Sequence, residues 1–222
     1  MNMRAAAGFP HYTAAELAID RVLHAFAILL AVGGVAWLFE AALPAEGLRQ
    51  LIGLTLYGVG LIGMFVASAA YNACYPSLAR ELLRRADHAM IFVMIAGTFT
   101  PFVLSAFPAN VDLLLCALTW ITATIGVVVK LAFPRRFERL LLALYLIMGW
   151  TMFGMGWACA DNLPNTALLL LFGGGIAYSC GALVHARIRV PFHNVAWHGS
   201  VLLGASLHWA AVAKQVVYSH GL

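Results

Sequence analysis

The stretch Asp87-His-Ala-Met-Ile-Phe-Val-Met-Ile-Ala-Gly-Thr-Phe-Thr-Pro-Phe102 decides the fold. After two ionisable residues it runs apolar without alternation, whereas a membrane β-strand alternates apolar and polar positions over about ten residues. It is therefore predicted as a helix that crosses a bilayer, with a polar pair at one end. Outward from it in both directions the pattern recurs, giving seven apolar runs at 22–42, 51–73, 87–107, 112–133, 140–160, 166–186 and 194–217. Each is close to the roughly 20 residues that a helix needs to span hydrocarbon. With 63% hydrophobic and 10% charged residues in 222 positions, and a mean hydropathy of +0.89, the chain cannot hide its apolar surface as a water-soluble globule.

The expected fold is all-α, a seven-transmembrane helical bundle. One membrane domain covers 19–218, preceded by a cytoplasmic segment 1–18 and followed by a short tail 219–222. The first run starts after Arg21 and is too long for the apolar core of a cleavable signal, so no processing is expected. Cys74, Cys116, Cys159 and Cys180 are dispersed and form neither a C-x-x-C pair nor a secreted disulfide pattern.

Basic residues orient the bundle. If the N-terminus shares a side with the connections after spans 2, 4 and 6, the opposite side keeps only Arg49 and Lys214, and 11 of the 13 Lys plus Arg fall together. The positive-inside rule then predicts a cytoplasmic N-terminus and, with seven spans, an external C-terminus. This placement accounts for the net charge of +4. No basic aromatic platform is present, and no nucleic-acid partner is expected.

In that orientation the polar residues that interrupt the apolar runs gather in the inner leaflet. Span 1 opens with Glu16, Asp20 and His24, spaced by four and so forming one helical stripe. Span 2 closes with Ser68 and Asn72, span 3 opens with Asp87 and His88, and span 7 opens with His193, Asn194 and His198. Ionisable groups at membrane depth usually face one another across a bundle interior, which predicts a shared site. Simpler roles compete with this. Glu16 and Asp20 suit the first turn of a helix, where the dipole favours carboxylates. Asp87, after Arg84 and Arg85, suits a helix N-cap with a surface ion pair. His208 suits an interhelical hydrogen bond, and His11, His185 and His220 look peripheral. Thr98, Thr100 and Pro101 suggest a kink repaired by hydroxyls. Gly154 and Gly156 in span 5 and Gly173 to Gly175 in span 6 suggest close helix packing.

The segment from Asp87 to Phe102 resembles the third-span signature of the hemolysin III branch of the progestin and adipoQ receptor superfamily, which includes the adiponectin receptors. The resemblance extends to Ser68-Ala-Ala-Tyr-Asn72, Tyr145-Leu-Ile-Met-Gly-Trp150, Gly173-Gly-Gly-Ile-Ala-Tyr178 and Pro191-Phe-His-Asn-Val-Ala-Trp-His198, and covers about Glu16 to Val217. It implies an intramembrane zinc ion near the cytoplasmic face. The family pattern is Ser-x-x-x-His ending span 2, an Asp opening span 3 and His-x-x-x-His opening span 7. Ser68, Asp87 and His198 match; Asn72 and Asn194 stand where two ligand histidines belong. His193 is displaced by one residue, and five positions from His198 is about 500° of rotation, so the two diverge by about 140°. Amide oxygen is a poor zinc ligand beside imidazole. His24 and His88 are possible substitute ligands.

The resemblance implies a bacterial inner-membrane protein in contact with membrane lipids. The favoured function is a membrane-state sensor or homeostasis protein with a polar inner-leaflet pocket, a degenerate zinc site and a possible lipid ligand. The alternative is a ceramidase-like zinc hydrolase of lipid amides or esters, with Asp87 and Ser68 as catalytic groups and His198, Asn72 and Asn194 at the metal positions, the displaced His193 being a substitute. Two further alternatives are an ion or proton pathway through His24, Asp87, His198 and His208, and cytolysis. Seven apolar spans without an amphipathic insertion segment speak against cytolysis.

Overall fold

A computed structural model describes residues 12–43, 47–75, 77–133, 135–158, 160–187 and 190–219. The segment before Tyr12, with His11, and also Cys159, Arg189 and the last three residues, with His220, lie outside the described residues. The helices are α1 (Ala14–Ala42), α2 (Leu48–Ala73), α3 (Leu78–Ala106), α4 (Ala109–Ala132), α5 (Glu138–Ala158), α6 (Asn165–Arg187) and α7 (His193–Ser219), with a 3-10 turn at Ala160–Asn162. There is no strand among the described residues.

Six of these helices, α1 to α6, are long and apolar enough to cross a membrane; α7 is not among them. That helix buries Asn194, His198, His208 and Gln215, the polar load expected of an element that turns one face inward. The outer surface carries large apolar side chains such as Val22 (70% exposed) and Leu29 (72%), which suits a hydrocarbon environment and no aqueous one.

α3 is the centre of the bundle. Buried residues make up 67% of its apolar window, against 22% for α1 and 17% for α4. It packs most extensively on α2, and small residues let the two backbones meet: a Cβ on Gly97 would lie 2.6 Å from the Leu56 carbonyl oxygen, and one on Gly60 would lie 2.9 Å from Met94 Cα.

Helix starts follow side-chain capping. Thr13 and Glu16 form a reciprocal capping box at α1, and Ser77 Oγ accepts from Arg80 N at 3.2 Å to begin α3. Asp87 is thus not a cap: α3 starts about two and a half turns earlier, and Asp87 sits within the helix. α3 also runs on through Pro101. Thr98 and Thr100 each donate to the carbonyl four residues back, Met94 O and Ala96 O, at 2.8 Å. The Pro101 carbonyl takes donors from other side chains, Ser105 Oγ at 2.8 Å and Gln50 Nε2 of α2 at 3.2 Å. At that same end Arg49 forms an ion pair with the fully buried Asp112, tying α2 to α4.

Close packing holds for some glycines and fails for others. A Cβ on Gly174 would lie 2.2 Å from His208 Cδ2, whereas one on Gly154 would meet nothing within 4 Å.

Candidate functional site

The stripe that opens α1 faces α2 and α7. His198 Nδ1 donates to Asp20 Oδ1 at 2.5 Å, and Asn194 Nδ2 lies 3.5 Å from the same oxygen. His24 Nδ1 is 2.8 Å from the backbone carbonyl of Asp20 and 3.4 Å from Oδ2. That carbonyl can only accept, so it holds the proton on Nδ1 and leaves Nε2 as the acceptor for the Ser68 hydroxyl, 3.1 Å away. The two imidazole rings meet edge to face with centroids 4.5 Å apart. All of these side chains are buried, Asp20 and His24 to 3% exposure. The first two helices and the last therefore close one hydrogen-bonded cluster, the arrangement in which polar groups at such depth are satisfied.

Glu16 fixes the geometry one turn earlier. Its Oε2 accepts from Thr13 N and Thr13 Oγ1, both at 2.8 Å, while Oε1 accepts from Phe192 N at 2.7 Å. Phe192 has φ 62°, a left-handed conformation that costs a bulky residue energy and persists where surroundings enforce it. The Glu16 bond holds that turn and so sets where α7 begins against α1.

The other residues expected at the site are distributed as follows. Asn72 Nδ2 donates to the Ser68 carbonyl at 2.9 Å. His193 Nδ1 turns back to Val190 O at 3.0 Å, outside the cluster, as its five-residue offset from His198 predicts. Asp87 Oδ2 lies 3.7 Å from His88 Nδ1, and His88 Nδ1 donates to Arg84 O at 2.7 Å. His208 Nε2 donates to Leu171 O of α6 at 3.2 Å, the interhelical bond expected of it.

Ser68, Asn72, Asp87, Asn194 and His198 all line one cavity of about 740 Å³. Its walls turn apolar away from them, with Met64, Phe65, Ile91, Leu146 and Trp150. Tyr12, just ahead of α1, also lines it; its ring lies 5.8 Å from that of His193, and burial pushes its phenol pKa up to about 12.

The sequence model of the haemolysin-III related family matches residues 16–209. The chain belongs to that family. It is 30% identical over 195 residues to the hemolysin-3 homolog of Bacillus subtilis (strain 168), covering 88% of this chain and 92% of the relative. It is 29% identical over 198 residues to hemolysin-3 of Bacillus cereus, covering 89% and 90%. With the human monocyte to macrophage differentiation factor the identity is 25% over 229 residues, covering 99% and 92%. These relatives place it in the hemolysin III branch of the adipoQ-receptor-like superfamily, as a multi-span membrane protein. No solved structure matches.

The superfamily's zinc pattern can be tested on this member's own residues. Of Asn72, Asn194 and His198, only the last offers a ring nitrogen able to coordinate a metal, and the Asn72 amide NH2 is bonded to a backbone carbonyl. The pattern's ligand set is thus incomplete in this chain. Among the described residues the group whose ligand atoms do converge is Asp20, His24 and His198, within 4.8 Å of one another. Asp20 and His24 were legible as a spaced stripe in the same leaflet as His198; that Asp20 bonds His198, nearly 180 positions away, was not.

Proposed function

We propose that this haemolysin III family member is a membrane-state sensor or membrane homeostasis protein whose cavity takes up an amphipathic lipid. The observation that carries the reading is the position of the α1–α2–α7 hydrogen-bond cluster on the wall of a cavity that is polar at one end and apolar beyond it. A lipid that displaced Ser68 from His24, or Asp20 from His198, would change the contact between α1 and α7 without any covalent step. A ligand shifts such an equilibrium only by its difference in affinity for the two arrangements. α7 serves as the seventh span, with the N-terminus and the arginine-rich connections on the cytoplasmic side of a bacterial inner membrane. The membrane domain is 19–218.

The experiment is amide hydrogen exchange at the first turns of α1 and α7, with the protein in bilayers that differ in acyl-chain length and headgroup. The expected result is a change in protection confined to those turns. Identical exchange in every bilayer removes the sensor reading.

The convergence of Asp20, His24 and His198 favours a second reading, a zinc-dependent hydrolase of lipid amides or esters. One carboxylate and two imidazoles make the three-ligand set of catalytic zinc sites. A zinc ion held there supplies Lewis-acid chemistry when bound. Ser68 and Asp87, on the same cavity wall, would hydrogen-bond the substrate and orient water. Elemental analysis of the purified protein decides between the two. One zinc per chain, lost on Asp20→Asn, together with lipid hydrolysis lost on Asp87→Asn, would establish the hydrolase. Zinc gained only after Asn72→His plus Asn194→His would mark a degenerate family site.

A further inference from the structure

At the arginine-rich end of the cavity, Lys130 lines the wall with 1% exposure. An ammonium so deeply buried is costly unless it is neutralised. Among the described residues its Nζ makes no hydrogen bond. The carboxylate oxygen within 4 Å is Glu138 Oε1, at 3.8 Å, and that oxygen already accepts from Arg84 Nη1 at 3.3 Å. Arg139 lines the same mouth and has no ion pair among the described residues. Over the first turns of α3 and the α4–α5 connection, seven cations (Arg80, Arg84, Arg85, Lys130, Arg135, Arg136 and Arg139) stand against three carboxylates, Glu81, Asp87 and Glu138. This corner carries an excess of positive charge that its own side chains do not cancel.

Immediately inward the wall becomes apolar along one side of α5, through Leu141, Leu142, Tyr145, Leu146 and Trp150. Gly149 lies on that wall, and a Cβ added there meets nothing within 4 Å. A cationic mouth over an apolar slot matches an amphiphile with a negative head and a chain. A zwitterionic head would bring its own cation to a site already in excess, and a free anion would leave the slot unfilled.

We propose that the mouth formed by Lys130 and Arg139 binds the phosphate of an anionic membrane phospholipid, with one acyl chain laid along α5. Basic pockets between membrane helices bind anionic headgroups by this chemistry. The inference rests on the cavity being a lipid site and adds which lipid it takes.

Trp150 and Trp197 both line the cavity, so quenching by lipids brominated in the acyl chain reads occupancy. The full chain in neutral detergent is titrated with brominated lysophosphatidylglycerol and with lysophosphatidylcholine of the same chain. The glycerol lipid is expected to bind about tenfold more tightly. Lys130→Met and Arg139→Gln should each remove most of that preference, weakening lysophosphatidylglycerol more than lysophosphatidylcholine. Gly149→Leu should weaken both lipids. Equal affinities for the two lipids in the unmodified protein overturn the proposal, and so does a preference that survives both charge substitutions. Inorganic phosphate that displaces the glycerol lipid at equal concentration reassigns the mouth to a free anion. Arg139 is exposed, so its variant keeps the test intact if Lys130→Met does not fold. Should neither lipid quench, the lipid cavity itself is wrong, a result distinct from equal quenching by both.

Discussion

The two polar regions on the cavity wall are built on opposite principles. On the α1–α2–α7 side hydrogen bonds link the buried groups to one another: His24 uses both ring nitrogens, on Asp20 and Ser68, and His198 spends Nδ1 on Asp20. On the α3–α4–α5 side, cations outnumber carboxylates, and Glu138 Oε1 is shared between Arg84 and Lys130. A cluster whose members bond one another holds helices in place, whereas a corner with more cations than carboxylates leaves room for an anion from outside. The contrast teaches that polar residues at equal depth need not serve one role, and that their hydrogen bonding separates structural from receptive groups.

Substitutions can break this contrast. The largest effect is expected at Asp20: Asp20→Ala leaves the buried His198 imidazole without its acceptor and removes the carboxylate beside His24, and should cost about 3–5 kcal/mol, read as unfolding free energy in mixed micelles. A loss no greater than that of Lys130→Met would mean that the two regions are energetically alike. Next is Gly174→Ala, whose new methyl would sit 2.2 Å from the His208 ring; forced repacking of this kind costs roughly 1–3 kcal/mol. Its counterpart Gly149→Ala, which meets open space, should leave the melting temperature unchanged, and an equal drop for both would show that the slot beside α5 is filled in the folded protein.

Ser68→Ala is smaller again. It removes the hydroxyl from His24 Nε2 and should cost about 1 kcal/mol, the usual worth of one buried hydrogen bond. The smallest change is predicted for Lys130→Met, within about 1 kcal/mol in either direction, because removing an incompletely paired buried charge also removes its desolvation penalty. A loss of several kcal/mol there would show that the ammonium is a structural partner after all.

Much of the bundle was legible because hydrocarbon imposes a length and a continuity on each span. Every apolar run became a helix, and the errors were at the ends. α3 begins at Leu78, well before the apolar run that starts near 87, because Ser77 caps a polar first section that hydropathy alone assigns to a loop. The site was legible in part. Ser68, Asp87 and His198 do line one cavity, as their shared leaflet implied. The importance of Asp20 was hidden, since a carboxylate in a first turn has an adequate local explanation in the helix dipole. Lys130 was hidden for the same reason, as one more basic residue in a basic connection. The signal for Glu16, Asp20 and His24 was their four-residue spacing, which says that they share a face and leaves open what the face meets.

By itself, then, the sequence determined that the chain is an all-helical membrane protein of the haemolysin III family, how its helices divide, and which short polar stripes interrupt them. These properties follow from local chemistry: backbone polar groups in hydrocarbon must be satisfied within each helix, and periodicity along one helix is written in residue spacing. Only the tertiary structure decided that Asp20 binds His198 and not a loop arginine, that His24 rather than Asn72 receives the Ser68 hydroxyl, and that Lys130 points into a cavity. Those outcomes depend on the rotation of one helix against another, set by packing at positions such as Gly60, Gly97 and Gly174, and spacing within a single helix carries no record of it.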